Sequence, residues 1–268
     1  MVTPSTGIPA SVDVVELETK VKRMYRDVAQ NPGGAFHFEM GPTLAKRLGY
    51  PEELLDRIPE GAIESFAGVG YGFGLAALHE GERVLDLGSG SGMDAFFAAL
   101  QTGPTGRVVG IDMTREQLDK AERLRGESGF DSVEFVEGHI EDLPFDANSF
   151  DCVVSNGVIN LSARKGQVFA EVARVLRPGG RLAISDIVTE RELSEGIVCN
   201  TDLWASCIGG AAQADTYRVA VQSAGLVVQE VRENREYAFL SEQARNASVT
   251  YGVKSVSLLA TKPEKAPS

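Results

Sequence analysis

The chain has 268 residues, enough to bury a full core as one large domain or two small ones. Its formal charge of -12 leaves no basic footprint of the kind that nucleic acid or an anionic membrane requires, so neither is expected as a partner. Three cysteines, Cys152, Cys199 and Cys207, are too few for a disulfide framework and lack C-x-x-C spacing, which fits a reduced, cytoplasmic protein with no metal centre.

In chain order, MVTPSTGIPASV has neither the basic start nor the apolar run of a secretory signal, and reads as loose. No stretch approaches the ~20 apolar residues of a membrane span. VVELETKVKRMYRDVAQ has helical spacing, with Val15, Val21, Met24 and Val28 able to share a face, and NPGG at 31–34 stops it. PTLAKRLG and PEELLDRI predict two shorter helices, and glycines punctuate FAGVGYGFG at 66–74. From residue 83 the rhythm changes to short β-branched runs alternating with amphipathic segments, the pattern of a parallel sheet with crossover helices. The strands are RVLDLG, RVVGID, VEFVEG, FDCVVSN, RLAISDI, LVVQEVRE and KSVSLLATK, with helices over AFFAAL, REQLDKAERLR and KGQVFAEVARVL. The expected plan is an α/β, Rossmann-like, seven-stranded, mostly parallel sheet. Residues 1–78 form a helical extension, 79–262 the main domain, 189–212 an inserted lid, and 263–268 a disordered tail.

VLDLGSGSG at 84–92 leads a strand into a helix, and Gly88, Gly90 and Gly92 let the backbone turn sharply and a ligand approach it. A dinucleotide fingerprint, G-x-G-x-x-G/A, would need a small residue where Met93 stands, and no G-K-[ST] follows to make a P-loop. Asp112 closes the second strand about twenty residues after the turn, where a carboxylate can accept both hydroxyls of a ribose; an N-cap for the helix near Thr114 is the plainer role.

D-x-G-x-G-x-G from Asp86, an acid ending strand two, and the late strand hairpin together resemble the class I S-adenosylmethionine-dependent methyltransferases, over about residues 80–262. The resemblance implies S-adenosylmethionine as cofactor, held by Asp86, Gly88, Gly90, Gly92, Asp112, Met113, Ile140, Glu141 and Asn156. HIEDLPF, with His139, would be the adenine loop. A sulfonium is a strong methyl donor, so such a protein chiefly aligns a nucleophile and excludes water. Only a neutral hydroxyl or amine needs a base.

AFHFEMGPTLAKRLGY, IPEGAIESFAGVG, GIDMTREQL, SNGVINL and DLWASCIGGA are similar, in order, to segments of the arsenite methyltransferases. That family binds trivalent arsenic through cysteine thiolates, soft ligands for a soft centre. On these motifs its cysteines fall at Val69, Gly157 and Cys207, and only the last is present. The resemblance therefore implies a small-molecule methyl acceptor, organic and small or medium in size, entering over a bare Gly157 and bounded by Val69, Tyr71, Phe73, Trp204, Phe36 and Phe38. The alternatives are arsenic(III) methylation by Cys207 with Cys199 as a second thiol, and a cofactor-binding sensor without turnover. A nicotinamide-linked oxidoreductase shares the sheet, but Met93 stands against it. His37 is the best placed base and Cys207 the remaining thiol, so these two are the catalytic candidates. His79 reads as surface, Cys152 as core, and Asp186 as either a substrate-side acid or a turn residue. A monomer or homodimer is expected.

Overall fold

The structure, a computed structural model, describes residues 13–198 and 208–264. Cys199, Trp204 and Cys207 lie outside the described residues.

The first helix, α1 (Val14–Gln30), begins where the Asp13 carboxylate accepts from the backbone N–H groups of Val15 and Glu16. Then follow α2 (Pro42–Leu48), α3 (Glu52–Leu55), α4 (Glu60–Glu64) and α5 (Phe73–Ala76), the last inside the glycine-rich stretch where no helix was expected. The alternating region comprises β1 (Arg83–Leu87), α6 (Met93–Thr102), β2 (Arg107–Asp112), α7 (Arg115–Ser128), β3 (Val133–Glu137), β4 (Phe150–Asn156), α8 (Lys165–Val175) and β5 (Leu176–Thr189). The C-terminal part contains α9 (Glu195–Val198), β6 (Ala212–Gln213), α10 (Ala214–Ser223), β7 (Val227–Glu233), α11 (Glu242–Tyr251) and β8 (Lys254–Thr261). The seven expected strands are all present; the two-residue β6, parallel to β5, is an addition. α11 occupies the polar stretch between the last two long strands.

The sheet order is β3-β2-β1-β4-β5-β8-β7, parallel except for β8, which runs antiparallel to both its neighbours. β1 and β4 are buried almost along their whole length, as befits strands covered on both faces. One face packs against Phe96 and Phe97 of α6, Leu124 of α7 and Leu44 and Leu48 of α2, so the N-terminal helices share a core with the sheet. The other face packs against Val168, Phe169 and Val172 of α8 and Tyr217 of α10. A third cluster joins Leu17 and Val21 of α1 to Val69, Leu193, Ile208 and Ala247 of α11. Pro178-Gly179-Gly180 interrupts the β4–β5 register between Phe150 and Cys152. No helix among the described residues is long and apolar enough to cross a membrane.

Candidate functional site

From β1 the chain proceeds to β2 on one side and later to β4 on the other, so the carboxyl ends of β1 and β4 flank the point where strand order reverses, the usual ligand position in an open parallel sheet. The turn after β1 uses positive φ at Gly88 (68°), Gly90 (52°) and Gly92 (93°). At Gly88 a Cβ would lie 2.5 Å from Val158, and at Gly92 2.6 Å from the Phe135 ring, so only glycine fits both the conformation and the space. The N–H groups of Gly88 and Ser89 both donate to the Ile111 carbonyl, at 2.8 and 3.0 Å, which holds the turn against the end of β2.

Asp112 accepts from Gly90 N–H through Oδ2 (3.0 Å) and from Thr114 N–H through Oδ1 (2.8 Å). The plainer role is therefore fulfilled in part, because Asp112 supports the first turn of α7 while still lining the cleft. Asp86 is 2 % exposed, and its Oδ2 has no hydrogen-bond partner although it borders the cleft. Burial, then Asp94 and Asp112 nearby, raises its pKa well above the ordinary carboxylate range. An orphaned acid there fits the ammonium of an amino-acid ligand, which would supply the missing donors.

Asp94 opens α6 in the same cleft. Its Oδ1 accepts from the Tyr50 hydroxyl at 2.6 Å and its Oδ2 from the Asn156 amide at 3.1 Å. Burial raises its pKa to about 6 despite those two bonds. Asn156 lines the cleft, but its amide oxygen accepts from Val69 and Gly70 N–H at 2.8 and 3.2 Å, and its nitrogen serves Tyr50, Gly70 and Asp94. It positions the loop at Gly70 and the Asp94 carboxylate.

The cleft measures about 1160 Å³ including the solvent at its mouth, above the ~300–1,000 Å³ of a single drug-sized site. Leu17, Glu18, Val21 and Tyr25 of α1 form its roof. Met113, His139, Ile140 and Glu141 line it beyond β2 and β3. Glu141 accepts from the Ser162 hydroxyl at 2.5 Å and Gln167 donates to its carbonyl at 2.9 Å, so the loop is fixed rather than simply exposed. Eight of the nine expected cofactor residues line this one cavity; Gly92 belongs to the turn beneath it and does not line it.

The acceptor side departs from expectation. Gly157 has φ 76°, and a Cβ there would stand 3.3 Å from Cγ1 of Val69, which is only 1 % exposed. The room foreseen over Gly157 is therefore filled by the Val69 side chain, and neither residue lines the cleft. Tyr71 is also outside it, packed edge-on against Tyr50 and Phe97 with ring centroids 4.8 and 5.9 Å away. Phe36 stacks on Phe38 and Phe38 on Tyr25, which alone of the three reaches the cavity. His37 is exposed in the loop after α1 and does not line the cleft, so its expected role as a base has no geometric support. Asp186 lies inside β5 rather than in a turn; it is 1 % exposed, does not line the cleft, and accepts from Asn160 N–H, Ile187 N–H and the Tyr217 hydroxyl, a structural role. Cys152 is fully buried in β4, where burial pushes its thiol up to about 12.

Reading the sequence did not single out Asp94, Ser89 or Gln117. Gln117 is 1 % exposed; it accepts from the Ser91 hydroxyl at 2.5 Å and donates to the Tyr25 carbonyl at 2.7 Å, joining the glycine turn to the roof. A polar residue on the otherwise apolar face of REQLDKAERLR was the available signal.

This fold, with a glycine turn, a carboxylate after strand two and an orphaned acid in strand one, defines the class I S-adenosylmethionine-dependent methyltransferases. The family profile described as a methyltransferase domain matches residues 78–239. An arsenite methyltransferase from Halobacterium salinarum is 36% identical over 234 residues, 87% of this chain and 60% of the relative. Another, from Mus musculus, is 34% identical over 261 residues, 90% of this chain and 68% of the relative. The crystal structure of an arsenic(III) S-adenosylmethionine methyltransferase from Chlamydomonas reinhardtii matches at TM-score 0.61 with 30% identity, covering 85% of this chain and 75% of that one. A geranyl diphosphate C-methyltransferase from Streptomyces coelicolor, at TM-score 0.67 and 17% identity, shares the fold. The chain belongs to the S-adenosylmethionine-dependent methyltransferases and is related within them to the arsenite methyltransferases. It spans 60% and 68% of the length of the two curated relatives described.

Proposed function

We propose that this chain transfers the methyl group of S-adenosylmethionine to a small or medium organic acceptor, as a cytoplasmic monomer or homodimer without nucleic-acid or membrane partners. The observation that carries the reading is the pairing of Val69 with Gly157. The resemblance gives both positions cysteines in arsenite methyltransferases, and here one is a buried isopropyl group and the other has no side chain. Neither offers a soft lone pair to arsenic.

In this reading Asp86 takes the ammonium of the cofactor, Asp112 its ribose, the backbone at Gly88, Gly90 and Gly92 its methionine portion, and Met113, Ile140 and Glu141 its adenine. When bound, the cofactor supplies an electrophilic methyl on a sulfonium. The protein's own task is alignment and exclusion of water. The α1 roof contributes the apolar side chains of Leu17 and Val21, with Tyr25 beside them. The one imidazole among the described lining residues, His139, is in the adenine loop, so the reading favours an acceptor that attacks through a soft lone pair and needs no base. The resemblance would also give Trp204 and Cys207 to the acceptor; both lie outside the described residues.

Arsenic(III) methylation through Cys207 and Cys199 is the second reading, favoured by the names of the relatives. The expected outcome is that arsenite with excess thiol yields little methylated arsenic, whereas members of an organic acceptor panel accelerate release of S-adenosylhomocysteine. Robust di- or trimethylarsenic formation that disappears in Cys207→Ser would reverse the assignment. If no acceptor accelerates release while the cofactor binds, the sensor reading gains over both.

A further inference from the structure

Among the described residues lining the cleft, five are carboxylates, Glu18, Asp86, Asp94, Asp112 and Glu141, and none is Lys or Arg. The segments 1–12 and 199–207 also contain no Lys or Arg. Such a cavity attracts cations through a low-dielectric wall that screens poorly. Two of the acids are nearly inaccessible: Asp86 has an oxygen with no partner, and Asp94 is 8 % exposed. Asp94 is also oriented, because Tyr50 and Asn156 each hold one of its oxygens.

The methyl donor and its spent product share the amino-acid and nucleoside parts and differ by one positive charge, at sulfur. An ammonium common to both can satisfy Asp86 equally in both. A second fixed carboxylate is what makes the cavity sensitive to the charge that differs.

We propose that Asp94 is the specificity-determining residue that reads the sulfonium, favouring the charged donor over the neutral thioether product and so promoting product exchange. The inference rests on the cofactor reading of the cleft. Groups that face Asp94 are Tyr50 after α2, Tyr71, Asp86 at the end of β1 and, beyond Asp86, Asp112 at the end of β2. Glu18 on α1, and Glu141 and His139 in the loop after β3, border the same cavity. The carboxylate is ionised above about pH 6, where burial sets its pKa, and protonated below it. Discrimination is therefore full at alkaline pH and fades as pH falls through that value. Asp86 acts on the shared ammonium and largely cancels in the ratio of the two affinities.

The test is isothermal titration of the full chain with S-adenosylmethionine and with S-adenosylhomocysteine at several pH values between about 5 and 8. At the alkaline end the donor is expected to bind about five- to tenfold tighter than the product, and this preference should shrink toward unity on acidification. Asp94→Asn, nearly isosteric, still accepts from Tyr50 but presents an N–H to Asn156 in place of an acceptor; that mismatch costs donor and product alike, and beyond it the preference for the donor and its pH dependence should vanish. Tyr50→Phe removes a bond that lowers the Asp94 pKa and should shift the midpoint of the ratio to higher pH. Thermal melting of each variant checks folding. Equal losses for donor and product in Asp94→Asn, or a pH-independent ratio in the unsubstituted chain, would overturn the inference while leaving the cofactor reading intact. Failure of both ligands to bind would overturn both.

Discussion

Asp112 and Asp94 show how differently two acids announce themselves in a sequence. Asp112 ends a β-branched run at a fixed distance from a glycine turn, and both its oxygens are engaged by backbone N–H groups that hold it toward the cleft. Asp112→Ala should weaken S-adenosylmethionine binding by about 1–3 kcal/mol, the scale of a removed charge-assisted hydrogen-bonding group; calorimetry that finds unchanged affinity would refute its role. Asp94 looks like an ordinary acid in the first turn of a helix, where the helix dipole welcomes it. Its partners, Tyr50 and Asn156, are 44 and 62 residues away, so its position was legible only after folding. Gly157 teaches the complementary lesson. A missing side chain implied space, but Val69, from a loop 88 positions earlier by numbering (157 minus 69), occupies it.

At the scale of elements, apolar spacing identified α1 as a helix because one face must be buried. It did not say against what. The contact is made by α7: Gln117 donates to the Tyr25 carbonyl, and Lys120 donates to the Ala29 carbonyl at 3.3 Å and to the Ser65 hydroxyl at 2.8 Å. Two of these bonds reach α1 and the third reaches Ser65 at the end of α4, so the roof is a docked element whose polar attachment to α7 depends on very few bonds. Gln117→Ala removes the bonds to the half-buried Tyr25 carbonyl and the buried Ser91 hydroxyl, at a cost of about 1–3 kcal/mol for the two together. Hydrogen exchange across residues 14–30 should quicken and cofactor affinity fall; unchanged exchange would show that apolar packing alone holds the roof. Strands were easier to place than their accessories, since runs buried on both faces are nearly continuous in hydrophobicity. The short α5 and β6 carry no such periodic signal, and α11 lies in a polar stretch.

For the molecule as a whole, acids dominate the pH dependence of stability. Burial raises the pKa values of Asp94 and Asp186 to about 6 and that of Asp86 well above its ordinary value. The folded state therefore binds protons that the unfolded chain has released. The stabilising contribution is full below the unfolded value of about 4 and is lost as pH rises toward the folded value. The formal charge of -12 acts in the same direction through self-repulsion. Glu171 opposes this on the acid side: its hydrogen bonds from Arg174 hold its pKa down, so its contribution is lost as pH falls through that depressed value. The melting temperature of the ligand-free chain should rise on acidification from about pH 7.5 to about pH 5, by an amount reflecting roughly 1–3 kcal/mol, and fall again at lower pH. Saturating S-adenosylmethionine should reduce that rise, because its positive charges favour the ionised acids. Scanning fluorimetry showing a monotonic loss of stability from neutral pH downward would contradict the assignment.

What the sequence by itself determined is the periodic and the local: the alternating strands and helices, the glycine turn whose φ values exclude side chains, and the carboxylate at the end of the second strand. Short-range sterics and the need to bury apolar faces dictate these wherever the chain goes. Tertiary structure alone decided which acids share a cavity, which helix covers it and whether a bare glycine leaves room. Those depend on contacts between residues far apart along the chain, whose mutual burial and charge arise only once the sheet has brought them together.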